Sequence, residues 1–67
     1  MKLHELIKVL DYNQDEITLV FRNDNNVKST FKRLTDIPIT YSNYNVIQVY
    51  GYDAEGYDGI EISLVEE

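Results

Sequence analysis

Cysteine is absent from this chain of 67 residues, so neither a disulfide framework nor a cysteine-ligated zinc can hold it together. Tryptophan is also missing, proline occurs once and glycine three times. The fold must therefore rest on the 43% of residues that are hydrophobic, with self-association as a further source of support. A chain this short makes one domain at most, here residues 1–67, and buries only roughly 60% of its unfolded surface. No apolar run approaches the ~20 residues that a membrane-spanning helix needs. Met1-Lys2-Leu3-His4-Glu5 lacks the uninterrupted apolar stretch of a secretory signal. A reducing, cytoplasmic setting is the expectation.

Basic residues are missing from one whole region. All six (Lys2, Lys8, Arg22, Lys28, Lys32, Arg33) fall within the first 33 positions, beside five acidic groups. From Leu34 onward there is no Lys or Arg, while Asp36, Asp53, Glu55, Asp58, Glu61, Glu66 and Glu67 are all acidic. An overall charge of −6 repels nucleic-acid phosphates and argues against direct DNA or RNA binding. It favours a basic surface on a partner protein. Acidity of this kind also serves solubility alone.

Apolar periodicity places the elements. Leu3, Leu6, Ile7 and Leu10 follow the i, i+3, i+4, i+7 pattern of a helix, with Val9 widening the stripe. Asp11-Tyr12-Asn13-Gln14-Asp15 reads as its exit turn. A helix of about nine residues is not stable alone and must dock on an apolar surface. Ile17, Leu19 and Phe21 alternate on one strand, Asn23-Asp24-Asn25-Asn26 forms a turn cluster, and Val27 to Arg33 resumes extended pairing, so 16–33 is a hairpin. Pro38 makes 35–45 a connection or an edge. Val46 to Tyr52 and Ile60 to Leu64 read as third and fourth strands, separated by the glycine-punctuated loop 53–59.

One helix and two hairpins predict an α+β domain with the N-terminal helix packed on a four-stranded antiparallel sheet. A small SH3-like barrel with an appended helix is the alternative. The predicted core is Leu3, Leu6, Ile7, Leu10, Ile17, Leu19, Phe21, Phe31, Ile47, Val49, Ile60, Ile62 and Leu64. If Ile47 and Val49 face the helix, Gln48, Tyr50 and Tyr52 face away from it.

The order Met-Lys-Leu-x-Glu-Leu-Ile-x-Val-Leu, then Leu34-Thr35-Asp36-Ile37-Pro38, Tyr44-Asn45-Val46-Ile47 and a closing Gly59-Ile60-Glu61-Ile62 resembles small uncharacterised open reading frames of phages and prophages of Gram-positive bacteria. The resemblance covers nearly the whole chain and carries no active-site motif. It implies work in the cytosol of an infected cell, where several small acidic proteins block host defence nucleases by occupying nucleic-acid-binding grooves.

Catalytic chemistry has little to build on. His4 is the sole histidine, with no second ligand for zinc and no nucleophile signature such as Gly-x-Ser-x-Gly nearby; it reads as a surface or boundary residue. Asp53, Glu55 and Asp58 crowd one loop with Gly56 and Gly59, but lack the spacing of a calcium loop, and read as a turn. No metal, cofactor or enzymatic activity is expected. Tyrosine is the informative residue. Five of the six (Tyr41, Tyr44, Tyr50, Tyr52, Tyr57) lie in the region without basic groups. Tyrosine fits strands, and it also suits interfaces because it joins a rigid apolar ring to a polar tip. Tyr50, Tyr52, Asp53, Glu55, Tyr57, Asp58 and Glu61 are accordingly the candidate partner-binding set, an acidic and aromatic patch suited to an Arg- or Lys-rich surface. Lys28 and Lys32 share a strand face and would carry any weak nucleic-acid contact, although solvated strand lysines also discourage edge pairing. The expected function is a non-enzymatic protein-binding module, in the phage setting an inhibitor of a host nucleic-acid-handling complex. A homodimer or higher homo-oligomer of a structural phage protein is the alternative.

Overall fold

The computed structural model describes residues 1–10, 16–54 and 57–66, with the backbone alone at positions 54 and 57. The elements are helix α1 (Leu3–Val9), strands β1 (Glu16–Phe21) and β2 (Val27–Phe31), two 3-10 turns at Leu34–Asp36 and Ile39–Tyr41, and strands β3 (Asn45–Ala54) and β4 (Tyr57–Val65). This is an α+β arrangement of one helix and one four-stranded sheet. The sheet order is β2-β1-β4-β3.

The sheet is mixed, which corrects the expectation of a purely antiparallel one. β1–β2 and β3–β4 are antiparallel hairpins, but β1 and β4 run parallel, with Ile17 opposite Ile60 and Leu19 opposite Ile62. The physical reason lies in the connection. β2 ends at the opposite end of the sheet from where β3 begins, so residues 32–44 must travel back along its length. Pro38 and the two 3-10 turns sit in this returning segment, and its Leu34, Ile37, Tyr41 and Tyr44 pack against the core. β2 and β3 form the two edges of the sheet, which is not the closed SH3-like barrel weighed as the alternative.

The first hairpin has a local cause. Asn25 and Asn26 adopt φ of 54° and 58°, the left-handed region that asparagine tolerates better than most residues. The backbone N–H groups of Asp24 and Val27 close the same turn onto Phe21 and Asp24 carbonyls. The expected loop 53–59 is shorter than its glycines suggest. β3 runs to Ala54 and β4 starts at Tyr57, so Asp53, Asp58 and Gly59 belong to strands.

The helix is anchored at its start. Leu3 N–H donates to the Tyr44 carbonyl and His4 N–H to the Ser42 carbonyl, while Val46 N–H donates to the Met1 carbonyl. The Glu5 carboxylate turns back to accept the Lys2 backbone N–H at 2.7 Å, satisfying a donor that the first turn would leave orphaned. This bond holds the Glu5 pKa below its ordinary value, with smaller contributions from His4, the N-terminal amine and Lys2.

Leu3, Leu6, Ile17, Leu19, Ile60, Ile62 and Leu64 form the buried core, with Ile7, Leu10, Phe21 and Phe31 packed at its margin. Two predicted members lie outside it. Ile47 is 55% exposed and Val49 45% exposed. Between Val46, opposite Leu64, and Gln48, opposite Ser63, β3 carries an extra residue; this bulge leaves Ile47 without a partner on β4. Val49 shares the helix side of the sheet, but the seven residues of α1 reach only about 10 Å against about 33 Å for the ten of β3. Val9 is exposed as well, because the helix turns that position away from the sheet. The expected exit turn at 11–15 lies outside the described residues.

Candidate functional site

The sheet presents two unlike faces. On the helix side lie Ile17, Leu19, Ile60, Ile62 and Leu64. Strand alternation puts Thr18, Val20, Glu61, Ser63, Gln48, Tyr50 and Tyr52 on the other side, where no helix packs among the described residues. Thr18, Val20 and Ser63 are nevertheless buried. They occupy the two central strands, where side chains of β2 and β3 can lean over them. Lys28 of β2 reaches Glu61 of β4 at 3.9 Å, and Arg22 donates to the Gln48 side chain at 3.4 Å.

Tyr50 and Tyr52 stack along β3, ring centroids 6.2 Å apart and planes 22° apart. Tyr50 is 58% exposed. The Tyr52 ring lies directly over Gly59, its cross-strand partner; a Cβ at position 59 would overlap the far end of that ring. The Tyr52 hydroxyl donates to Glu16 at 3.4 Å. Glycine here leaves the space that the aromatic ring occupies, a role distinct from the turning expected for it.

The predicted partner-binding set is divided by this geometry. Tyr50, Tyr52 and Glu61 share the helix-free face. Asp53 and Asp58 are exposed and directly opposite one another near the β3–β4 turn, at positions whose alternation belongs to the helix side. Glu55 and the side chain of Tyr57 lie outside the described residues. The helix-free face is also of mixed sign, since Lys28 and Arg22 share it with Glu16 and Glu61. The Lys28–Glu61 pair is solvent-exposed and of the kind that contributes about 0–1 kcal/mol.

A second feature was not singled out from the sequence. At the end of the sheet where β1 leads into its turn, a pocket of about 390 Å³ opens on the helix side. Phe21, Tyr41 and Tyr44 line it and touch one another, with centroids 4.9, 5.7 and 5.4 Å apart in tilted and edge-to-face arrangements. Asp24 and Glu66 line it too, and no lysine or arginine does. The Tyr44 hydroxyl donates to Glu66 Oε1 at 3.3 Å. Desolvation raises the Tyr44 pKa above its ordinary value, and the Glu66 charge raises it further. The three-residue step from Tyr41 to Tyr44, just after a 3-10 turn, is the one local sequence signal for this cluster.

Among the described residues, no group of three or more His, Asp or Glu side chains is placed to hold a metal ion. Among the described residues, no helix is long and apolar enough to cross a membrane. No family model matches the chain, and no curated protein or solved structure is significantly similar to it.

Proposed function

We propose that the chain is a non-enzymatic protein-binding module whose recognition face is the helix-free side of the sheet. The observation that carries this reading is the stacked Tyr50–Tyr52 pair on that side, with Glu16 and Glu61 beside it. Stacked tyrosines offer a rigid contact area that loses little entropy on binding, with hydroxyls to orient a partner. The charge of −6 favours a basic partner, and Asp53 and Asp58, exposed near the β3–β4 turn on the helix side of the sheet, add to that field at one end. The resemblance to small phage open reading frames points to a host nucleic-acid-handling complex in the cytosol as that partner, with the module acting as its inhibitor.

Affinity capture from lysate, read by mass spectrometry, tests this. A basic protein should be retained by the native chain and lost with Tyr50→Ser combined with Glu61→Gln. Equal retention by both chains would end the reading. Asp53→Asn with Asp58→Asn should weaken capture in a salt-dependent way.

A second reading, a homodimer, is favoured by the outer edge of β3. Lys2 bridges to Asn45 and Met1 accepts the Val46 N–H, and beyond Val46 no described segment pairs with the edge. Ile47, Val49 and Tyr50 stand exposed along it, without the lysines or proline that usually discourage edge pairing. β2 carries Lys28 on its edge by contrast. A monomeric mass by light scattering at high concentration would remove this option.

A further inference from the structure

We propose that the pocket between Phe21, Tyr41, Tyr44, Asp24 and Glu66 is a binding site for an arginine side chain presented by a partner protein. It lies on the opposite side of the sheet from Tyr50 and Tyr52, and so stands or falls independently of the recognition face above.

Wall chemistry and charge select this occupant, and the volume admits it. About 390 Å³ is at the small end of ligand sites, which run from roughly 300 to 1,000 Å³, and admits an arginine side chain with room to spare. Three mutually packed rings give an aromatic wall, which attracts a cation through the ring quadrupole and offers a planar guanidinium a stacking surface. Asp24 and Glu66 supply negative charge at the rim, and no basic side chain of the lining neutralises it. The Tyr44 hydroxyl uses one acceptor position of the Glu66 carboxylate. A carboxylate has about four such positions, so the remainder can receive the forked donors of a guanidinium. A divalent metal is not favoured, since it needs six or more oxygen ligands and, among the described residues, Asp24 and Glu66 have no third acidic or histidine side chain placed with them to hold one. A neutral or acidic ligand gains nothing from the charge.

The test is an NMR titration of the full chain, at low ionic strength, with the blocked tripeptide acetyl-Gly-Arg-Gly-amide, and with its lysine and glutamine counterparts. The arginine peptide should produce saturable shifts at the Phe21, Tyr41 and Tyr44 ring signals, leaving Tyr50 and Tyr52 unmoved. The lysine peptide should bind more weakly and the glutamine peptide should give no saturable shift. Asp24→Asn with Glu66→Gln should weaken the arginine peptide by about three- to tenfold. Because Asp24 sits in a turn, Glu66→Gln alone, with its amide spectrum checked for an intact fold, should still weaken binding measurably. Bound guanidinium should also bring the Tyr44 phenol back toward its ordinary pKa in an ultraviolet titration. Equal binding of the glutamine peptide, shifts confined to Tyr50 and Tyr52, undiminished binding by the carboxylate variants or no saturable shift at all would each overturn the assignment.

Discussion

On the helix side of the sheet, Ile17, Leu19, Ile60, Ile62 and Leu64 are sealed beneath Leu3 and Leu6 of α1 and the returning segment with Leu34 and Ile37. On the other side, Thr18, Val20 and Ser63 are almost as deeply buried, yet no second layer lies above them among the described residues. The first side excludes water by adding an element. The second does so by borrowing the long side chains of neighbouring strands. An element docked over aliphatic groups makes a core that cannot adjust cheaply to lost volume. A canopy of exposed Lys28 and Tyr50 and half-buried Tyr52 can rearrange, so the same degree of burial should respond differently to substitution on the two sides.

The sharpest way to break this contrast is to substitute one residue of β1 on each side of the sheet, and one position beneath the canopy. Leu19→Ala removes a fully buried side chain from the sealed side, and should cost about 2–5 kcal/mol, a large share of the total stability of a small domain. Chemical denaturation should show the chain partly or wholly unfolded without denaturant. Gly59→Ala probes the canopy itself. The new methyl pushes the Tyr52 ring aside, so the Tyr50–Tyr52 and Tyr52–Glu16 contacts should vanish from nuclear Overhauser spectra. Because the ring can swing into solvent, the expected loss is only ~1 kcal/mol, at the low end for overpacking. Val20→Thr is smaller still. Its hydroxyl would sit beside Thr18 and Ser63, and the melting temperature should fall by no more than that of Gly59→Ala. A loss equal to that of Leu19→Ala would show the two sides to be equally rigid.

Two titrations compare the ends of the molecule. The folded-state pKa of Glu5 is lowered by the Lys2 N–H. Its contribution is therefore present above the ordinary carboxylate range and lost as pH falls through the lowered value. The stability gap between the native chain and Glu5→Gln should thus be widest near about pH 7 and close by about pH 2, as read by urea midpoints. Tyr44 behaves oppositely. Its raised pKa favours the neutral phenol, a contribution present below about pH 10 and lost as pH rises through the raised value. Glu66→Gln should lower that pKa toward the ordinary one in an ultraviolet titration, because it removes the charge while leaving the desolvation.

The same two sides explain how much was legible in the chain. Leu3 and Leu6 announce their buried stripe, and alternation in 16–21 and 60–64 places Ile17, Leu19, Ile60 and Ile62 correctly, because each of those signals is local. Val20 is invisible to the same rule. Alternation assigns it to the outer face, and its cover comes from side chains of β2 and of β3, the latter distant in sequence. Ile47 reads as core because nothing in Val46-Ile47-Gln48 declares a bulge. The parallel pairing of β1 and β4 was equally hidden, since two hairpins can be joined through several choices of neighbour. The Tyr50–Tyr52 pair follows from strand alternation alone. The pocket could not be assembled that way, because Asp24, Tyr41, Tyr44 and Glu66 meet only through the returning segment.

The parallel register that sets Ile17 against Ile60 and Leu19 against Ile62 has a consequence for how the molecule assembles. Each hairpin can zip by itself in microseconds, but neither owns an interior until β1 and β4 meet across more than forty positions of chain. That encounter must precede any lasting order, so the barrier to folding is set by a search over long loops. A protease cut between the hairpins would leave two fragments, neither able to hold its shape without the other.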